Sequence, residues 1–354
     1  MTRCIIHIGM HKTGSTSIQR SLKAFSDERF LYPTLGGFAN HSLAVYSAFS
    51  DHPEQYFVHS VMGRDTHAVQ QIVDQVREDL ERAVLEAIGR TLIISGEDIA
   101  SLRCAELIKL REYLQDRFDE IVVVGYVRAQ GEFMASAFQQ RLRTNIAMTL
   151  DLRRTYRSYR ARFDNVDRVF GCENVSLWKF DPQVFPENCV VRDFCRRLGI
   201  DLPRDRIVRL NRSLSRQAVA LLYTYRKLGE IYGSKNMNGA ETNALGNLLA
   251  AVGDDKFRFS PNLLGPVLEE NRADIEWMEA RVGESLQEQL GEPRPGDVCS
   301  ESDLLTPHPE VVSKLLQLIG DAAPQGVEGR TPQEVALLVH TLREQRRGQL
   351  LRRV

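Results

Sequence analysis

The stretch Cys4–Leu22, CIIHIGMHKTGSTSIQRSL, decides how the rest of the chain is read. Cys4, Ile5 and Ile6, with Ile8 just beyond, form a short apolar run that Gly9 breaks. A polar turn follows. From Ser15 the pattern becomes helical, with Ile18 and Leu22 four apart on one face. Strand, glycine-bearing loop and helix in that order direct several backbone N–H groups, and the positive end of a helix dipole, at one point; such a point favours an anion. Lys12 adds a formal positive charge there, and Ser15, Thr16 and Ser17 add hydroxyl donors. The usual nucleoside-triphosphate loop places its lysine directly after the second glycine. Here Lys12 comes two residues before Gly14.

Outward from this stretch the chain alternates apolar runs with helical patterns. Phe30–Gly63 reads as a loop-rich segment, with Pro33, Gly36, Gly37, Asn40 and Pro53 beside His41, His52, Tyr56 and His59, and is expected to wall an acceptor site. Asp65 or Thr66 caps a long helix reaching about Ile88. Thr91–Ser95 is a buried strand with Gly96, Glu97 and Asp98 at its carboxyl end, and a helix follows over about Cys104–Phe118. Ile121–Val127 is the strongest strand pattern, and Asn174–Phe180 is another. Continuous β-branched runs alternating with helices imply an α/β fold whose central parallel sheet is flanked by helices. Ligands of such sheets bind beyond the carboxyl ends of the strands, which is where Lys12, Glu97 and Arg128 fall. The arginine-heavy segment Gln139–Arg168 reads as a solvated face. Helices are expected over Pro186–Leu198, from Ser215 to Tyr232, and near Thr242–Val252 and Pro261–Val282. Pro293–Gly296 reads as a linker, and the tail carries two amphipathic helices, about Pro309–Ile319 and Pro332–Arg352, whose leucines either cover the core or form a homodimer seam. The expected division is therefore an α/β domain over 1–290 and a linker with a helical C-terminal extension over 291–354.

A chain of 354 residues with 43% hydrophobic and 26% charged residues has an ordinary globular balance. The formal net charge of −1 gives no global drive toward nucleic acid. The six cysteines include no Cys-x-x-Cys pair and no accompanying histidines at metal-ligand spacing; they read as reduced thiols of a cytoplasmic protein. No apolar stretch is long enough for a membrane span, and no secretory leader is apparent.

The order His7-x-Gly9-x-x-Lys12-Thr13-Gly14-Ser15-Thr16-Ser17 resembles the 5′-phosphosulfate loop of sulfotransferases that use 3′-phosphoadenosine 5′-phosphosulfate (PAPS). Arg128 at a strand end, with Ser136 eight positions on in the following helix, resembles the 3′-phosphate signature of the same family. Ser95–Asp98, Ser213–Ser215, Phe257–Pro261 and Asp274–Trp277 look like the bacterial members that act on carbohydrates or small metabolites, so the resemblance covers roughly residues 3–285. It implies a P-loop-type three-layer fold and in-line transfer of a sulfuryl group from PAPS to a hydroxyl of a small-molecule or carbohydrate acceptor, with adenosine 3′,5′-bisphosphate (PAP) as product and no metal. It also implies donor contacts from Lys12, Thr13, Gly14, Ser15, Thr16, Ser17, Arg128 and Ser136. The family's Lys-Gly-x-x-Gly-x-Trp-Lys closing loop has no counterpart here, and Arg212 and Ser213 are the candidates to replace it. Lys12 is the expected stabiliser of the leaving phosphate and Glu97 the expected proton acceptor, with His11, His41 and His59 as rivals; His7 reads as a core histidine. Two other readings stay open: a P-loop kinase acting on a small molecule, and an inactive nucleotide-binding relative that serves as an interaction protein.

Overall fold

The structure is a computed structural model that describes residues 2–143, 149–210, 213–288 and 290–351. In chain order its elements are β1 (Arg3–His7), α1 (Ser15–Leu22), β2 (Phe30–Leu31), α2 (Ser42–Phe49), α3 (Phe57–Val61), α4 (Thr66–Glu86), β3 (Thr91–Ser95), α5 (Cys104–Gln115), β4 (Glu120–Val127), α6 (Gln130–Arg143), α7 (Tyr159–Phe170), β5 (Val175–Lys179) and α8 (Val190–Leu198). There follow α9 (Arg216–Leu228), α10 (Gly239–Leu249), α11 (Pro261–Glu270), α12 (Arg272–Val282), α13 (Ser302–Leu305), α14 (Pro309–Ile319) and α15 (Pro332–Leu351).

The strands form one parallel sheet in the order β2-β3-β1-β4-β5. β1 lies between β3 and β4, with Ile5 in register with Ile93 on one side and Val122 on the other. Covered on both faces, the central strands β1, β3 and β4 carry continuous apolar runs rather than an alternating pattern: Cys4, Ile5, Ile6, Leu92, Ile93, Ile94, Val123 and Val124 are all buried. The connection leaving β1 runs to the β2–β3 side, while that leaving β4 runs toward β5. The strand order therefore reverses at the carboxyl ends of β1 and β4, the place where α/β sheets take ligands.

The chain forms two compact units. The sheet unit comprises Met1–Ala129, Ser158–Asn211 and Ala273–Gln287. In its core Ile5, Ile18, Leu22, Ile93, Val124, Tyr126 and Phe194 pack together. Tyr126 spends its hydroxyl on Asp193 (2.7 Å), which also takes Arg196 and Arg197. The helical unit comprises Gln130–Arg157, Arg212–Arg272 and Glu288–Val354. Its core gathers Phe138, Leu221, Leu222, Leu245, Leu315, Leu338 and Leu342. Helix α9 is buried along nearly its whole length, and α13, α14 and α15 complete the layer around it. The tail leucines singled out in the sequence thus serve the core of this unit, where Leu315, Leu338 and Leu342 are excluded from solvent.

Two readings are corrected. Phe30–Gly63 is not a structureless segment: it holds β2, α2 and α3. Helix α2 (SLAVYSAF) has no charged face to reveal it, and its cap is displaced by one residue; Asn40, not His41, accepts the Ser42 N–H (2.8 Å). Pro261–Val282 is two helices broken at Asn271, whose side-chain amide turns back to the Val267 carbonyl (2.8 Å). Among the described residues no helix is long and apolar enough to cross a membrane.

Candidate functional site

The loop from Ile8 to Gly14 carries β1 into α1 at the carboxyl end of the sheet. It remains stitched to β4: Ile8 N–H donates to Val124 O (3.0 Å), Met10 N–H to Tyr126 O (2.8 Å) and Tyr126 N–H to Gly9 O (2.6 Å). Gly9 has φ of +86°, and a Cβ there would lie 2.9 Å from Glu97 Cγ. Gly14, the N-cap of α1, has φ of +78°, and a Cβ there would lie 2.7 Å from Val190 Cγ1. Both positions therefore require glycine, for backbone angle and for space. Lys12 adopts a left-handed φ of +66°, a conformation costly for a side-chain-bearing residue and one that clusters at ligand sites. The N-cap of α1 offers no side-chain acceptor, and the first turn holds no acidic residue, so nothing of the helix's own opposes an anion at its N-terminus.

The hydroxyls of this stretch divide by direction. Thr13 is fully buried and donates to Met10 O (2.6 Å), and Ser15, also buried, reaches the same carbonyl at 3.4 Å. Both brace the loop. Ser17 Oγ accepts the Leu210 N–H (3.1 Å), and Ser21 Oγ accepts that of Val208 (2.8 Å), which lays the extended segment after residue 206 along α1. Thr16 is half-buried.

Arg128 leaves the end of β4 and donates from Nη1 to Lys12 O (2.7 Å), with its guanidinium 5.2 Å from the centre of the Phe180 ring. Tyr159 Oη donates to the Arg128 carbonyl (2.6 Å). The two cations picked out by the sequence, one after β1 and one after β4, thus meet on one loop. Ser136 is half-buried on α6 and Ser213 is exposed; both belong to the helical unit, whereas Arg128 belongs to the sheet unit. Arg212 lies outside the described residues.

Glu97 sits beneath the loop at the end of β3, 8% exposed. Its Oε2 accepts from Gln19 Nε2 (3.1 Å) and Asn40 Nδ2 (3.0 Å), and no bond to Oε1 is found among the described residues. Two neutral amides thus hold one oxygen of the carboxylate and leave the other. Asp98 faces His11: Nε2 of that half-exposed imidazole is 3.3 Å from Oδ1, and Tyr56 Oη donates to Oδ2 (2.6 Å). Burial pushes the Asp98 carboxyl up, but His11, Tyr56 and Arg162 outweigh it and hold Asp98 below the usual carboxylate range. Arg162 of α7 also donates to the Glu97 carbonyl.

His41, His59 and His7 are structural in their bonding. His41 is fully buried, accepts the Ser95 N–H at Nδ1 (3.1 Å) and donates from Nε2 to Pro33 O (3.0 Å); burial lowers it to about 4, against that bond. His59 is buried between Ser47 Oγ (2.9 Å) and Arg64 Nη1 (3.2 Å), and burial, then Arg64, lowers it. His7 lies within the sheet core, bonded to Ser95 Oγ (2.8 Å) and lowered to about 4 by burial in spite of Glu97. Sequence reading passed over Gln19, Asn40 and Arg162 as contacts of Glu97. A glutamine in a serine-rich helix, an asparagine in a loop segment and an arginine in an arginine-rich helix carry no local mark of what they meet across the fold. Among the described residues no group of three or more His, Cys, Asp or Glu side chains is placed to hold a metal ion.

No family model matches the chain. A curated relative, an uncharacterized protein of Archaeoglobus fulgidus, is 29% identical over 127 residues, which is 35% of this chain and 35% of the relative. The match thus spans about a third of that relative's length. Among solved structures, a sulfotransferase domain from the curacin biosynthetic pathway is 15% identical, over 66% of this chain and 83% of that one, with a TM-score of 0.35. Neither similarity assigns an activity to this chain.

Proposed function

We propose that the chain is a PAPS-dependent sulfotransferase whose donor site is the loop from Gly9 to Ser17 together with Arg128. The observation that carries the reading is the bond from Arg128 Nη1 to the Lys12 carbonyl (2.7 Å), by which the arginine at the end of β4 reaches the loop that bears Lys12. PAPS supplies an activated sulfuryl group on a phosphate leaving group. Lys12 and the backbone N–H groups opening α1 stabilise the charge that grows on that phosphate as the sulfuryl bond breaks. Thr16 and Ser17 donate to its oxygens, while Thr13 and Ser15 keep the loop in shape. Arg128 offers a planar fork of donors suited to the 3′-phosphate. Glu97 Oε1 accepts the proton of the attacking hydroxyl, the other oxygen being held by Gln19 and Asn40. The acceptor is a small-molecule or carbohydrate alcohol, and the reaction is assigned no metal.

Titration calorimetry with PAP and with ATP, each with and without magnesium, tests the donor reading. PAP is expected to bind without magnesium and more tightly than ATP. Binding of magnesium-ATP with no binding of PAP would instead establish the kinase reading. A mass-spectrometric screen of acceptor mixtures with PAPS, looking for gain of one sulfuryl group, then separates an enzyme from an inactive nucleotide-binding relative.

A further inference from the structure

Helix α7 carries three arginines, and two of them are committed within the sheet unit. Arg162 donates to the Glu97 carbonyl, and Arg168 Nη2 lies 2.7 Å from Asp164 Oδ2. Arg160 differs. Its guanidinium lies over the Trp277 ring, 5.3 Å from the ring centre, and among the described residues it has no ion-pair or side-chain hydrogen-bond partner. An aromatic face holds a guanidinium without consuming its N–H donors. Arg160 lines an open groove of about 430 Å³ between the start of α7 and the start of α12, together with Ser158, Ala161, Asp164, Asn165 and Asp274. All of these residues belong to the sheet unit. The two carboxylates of the groove are already met. Asp274 accepts Ser158 Oγ (2.8 Å), Tyr159 N–H (2.7 Å) and Arg160 N–H (2.9 Å) at the opening of α7, and Asp164 is met by Arg168. The charge left for a visitor is that of Arg160. Asn165 is half-buried, and its side-chain amide makes no hydrogen bond among the described residues. It offers one donor group and one acceptor, the two functions that a hydroxyl uses.

We propose that the groove between α7 and α12 binds a small hydroxy acid, with the carboxylate on Arg160 and a hydroxyl of the same molecule on Asn165. A planar guanidinium takes both oxygens of a carboxylate at once, and the groove has the volume of a small-molecule site. Trp277 backs the guanidinium and fixes where the carboxylate is met. The site uses none of the residues assigned to the donor loop, so it stands or falls independently of that reading.

Trp277 reports on the groove, and Trp178→Phe removes the chain's other tryptophan. The test is a fluorescence titration of that variant with glucuronate, glucose and inorganic phosphate. Glucuronate is expected to give a saturable change and to bind at least about tenfold more tightly than glucose, which lacks the carboxylate. Adding Arg160→Gln should weaken glucuronate at least about tenfold and leave glucose as it was; adding Asn165→Ala should weaken glucuronate about fivefold. Arg160 is exposed, so its exchange is expected to leave the urea transition in place. If Trp178→Phe does not fold, calorimetry on the wild type, Arg160→Gln and Asn165→Ala gives the same comparison. No saturable binding of glucuronate overturns the proposal, as does binding that survives Arg160→Gln. Glucose or phosphate binding as tightly as glucuronate overturns it too, because one lacks the carboxylate and the other the carbon-borne hydroxyls. None of these results bears on the donor-site reading, which PAP calorimetry decides separately.

Discussion

Replacing Gly14 by alanine tests the loop at its tightest point. Gly14 has φ of +78°, and the added Cβ would meet Val190 Cγ1 at 2.7 Å, against an ordinary carbon–carbon contact of about 3.5–4.0 Å. The left-handed angle costs an alanine about 1–2 kcal/mol. Forcing the contact adds about 1–3 kcal/mol, because Val190 opens α8 and packs on the core of the sheet unit, so it has little room to retreat. Gly14→Ala is therefore expected to destabilise the sheet unit by about 2–5 kcal/mol. Both tryptophans, Trp178 and Trp277, belong to that unit, so urea unfolding followed by tryptophan fluorescence reads it selectively. The two contributions separate in a double-mutant cycle: with Val190→Ala the Cγ1 methyl is gone, and the second change should cost only the angular part, about 1–2 kcal/mol. A cost for Gly14→Ala below about 0.5 kcal/mol, or a cycle with no coupling, would refute both the loop geometry and the reasoning from it.

Further expectations concern chemistry, pH and the tail. Lys12→Ala should lower sulfuryl transfer by about 10²–10³-fold while leaving the urea transition in place; full retained transfer would remove Lys12 from the mechanism. Glu97→Gln should abolish turnover yet bind PAP as wild type does, which calorimetry checks; a Glu97→Gln protein that still turns over would take the proton acceptor elsewhere. Glu106 is buried, and although burial pushes its carboxyl up, Arg103, the Asp51 and Arg103 amides and the Ser50 hydroxyl together hold it down to about 2. A depressed native value stabilises the fold above the unfolded value near 4.5 and loses that contribution as pH falls toward 2, so Glu106→Gln should flatten the acid limb of the stability profile and lower stability at neutral pH. Leu338→Ala, at a fully buried position of the helical unit, should cost about 2–5 kcal/mol in urea unfolding followed by far-ultraviolet circular dichroism. A cost under about 1 kcal/mol would mean that α15 does not contribute to that core.

Sequence alone determined the elements that signal themselves locally. The buried strands announce themselves because both faces of a parallel sheet must be apolar, as in Cys4–Ile6 and Ile121–Val127. The long helix α4 declares its start through Asp65, whose carboxylate accepts the Ala68 N–H at 2.8 Å. The loop was legible because left-handed backbone at Gly9 and Gly14 favours glycine, and glycine stands at both positions. Tertiary structure decided what depends on distant partners. Helix α2 escapes a periodicity reading because it is covered on more than one side and capped from Asn40. The companions of Glu97 come from α1, from the segment before α2 and from α7, so no spacing along the chain encodes them. The division into units is likewise a matter of long-range packing: α6 follows β4 almost directly in sequence yet packs with α9 and α10 in the helical core. Local pattern records backbone geometry and solvent exposure, and only the folded chain determines which buried polar groups face one another.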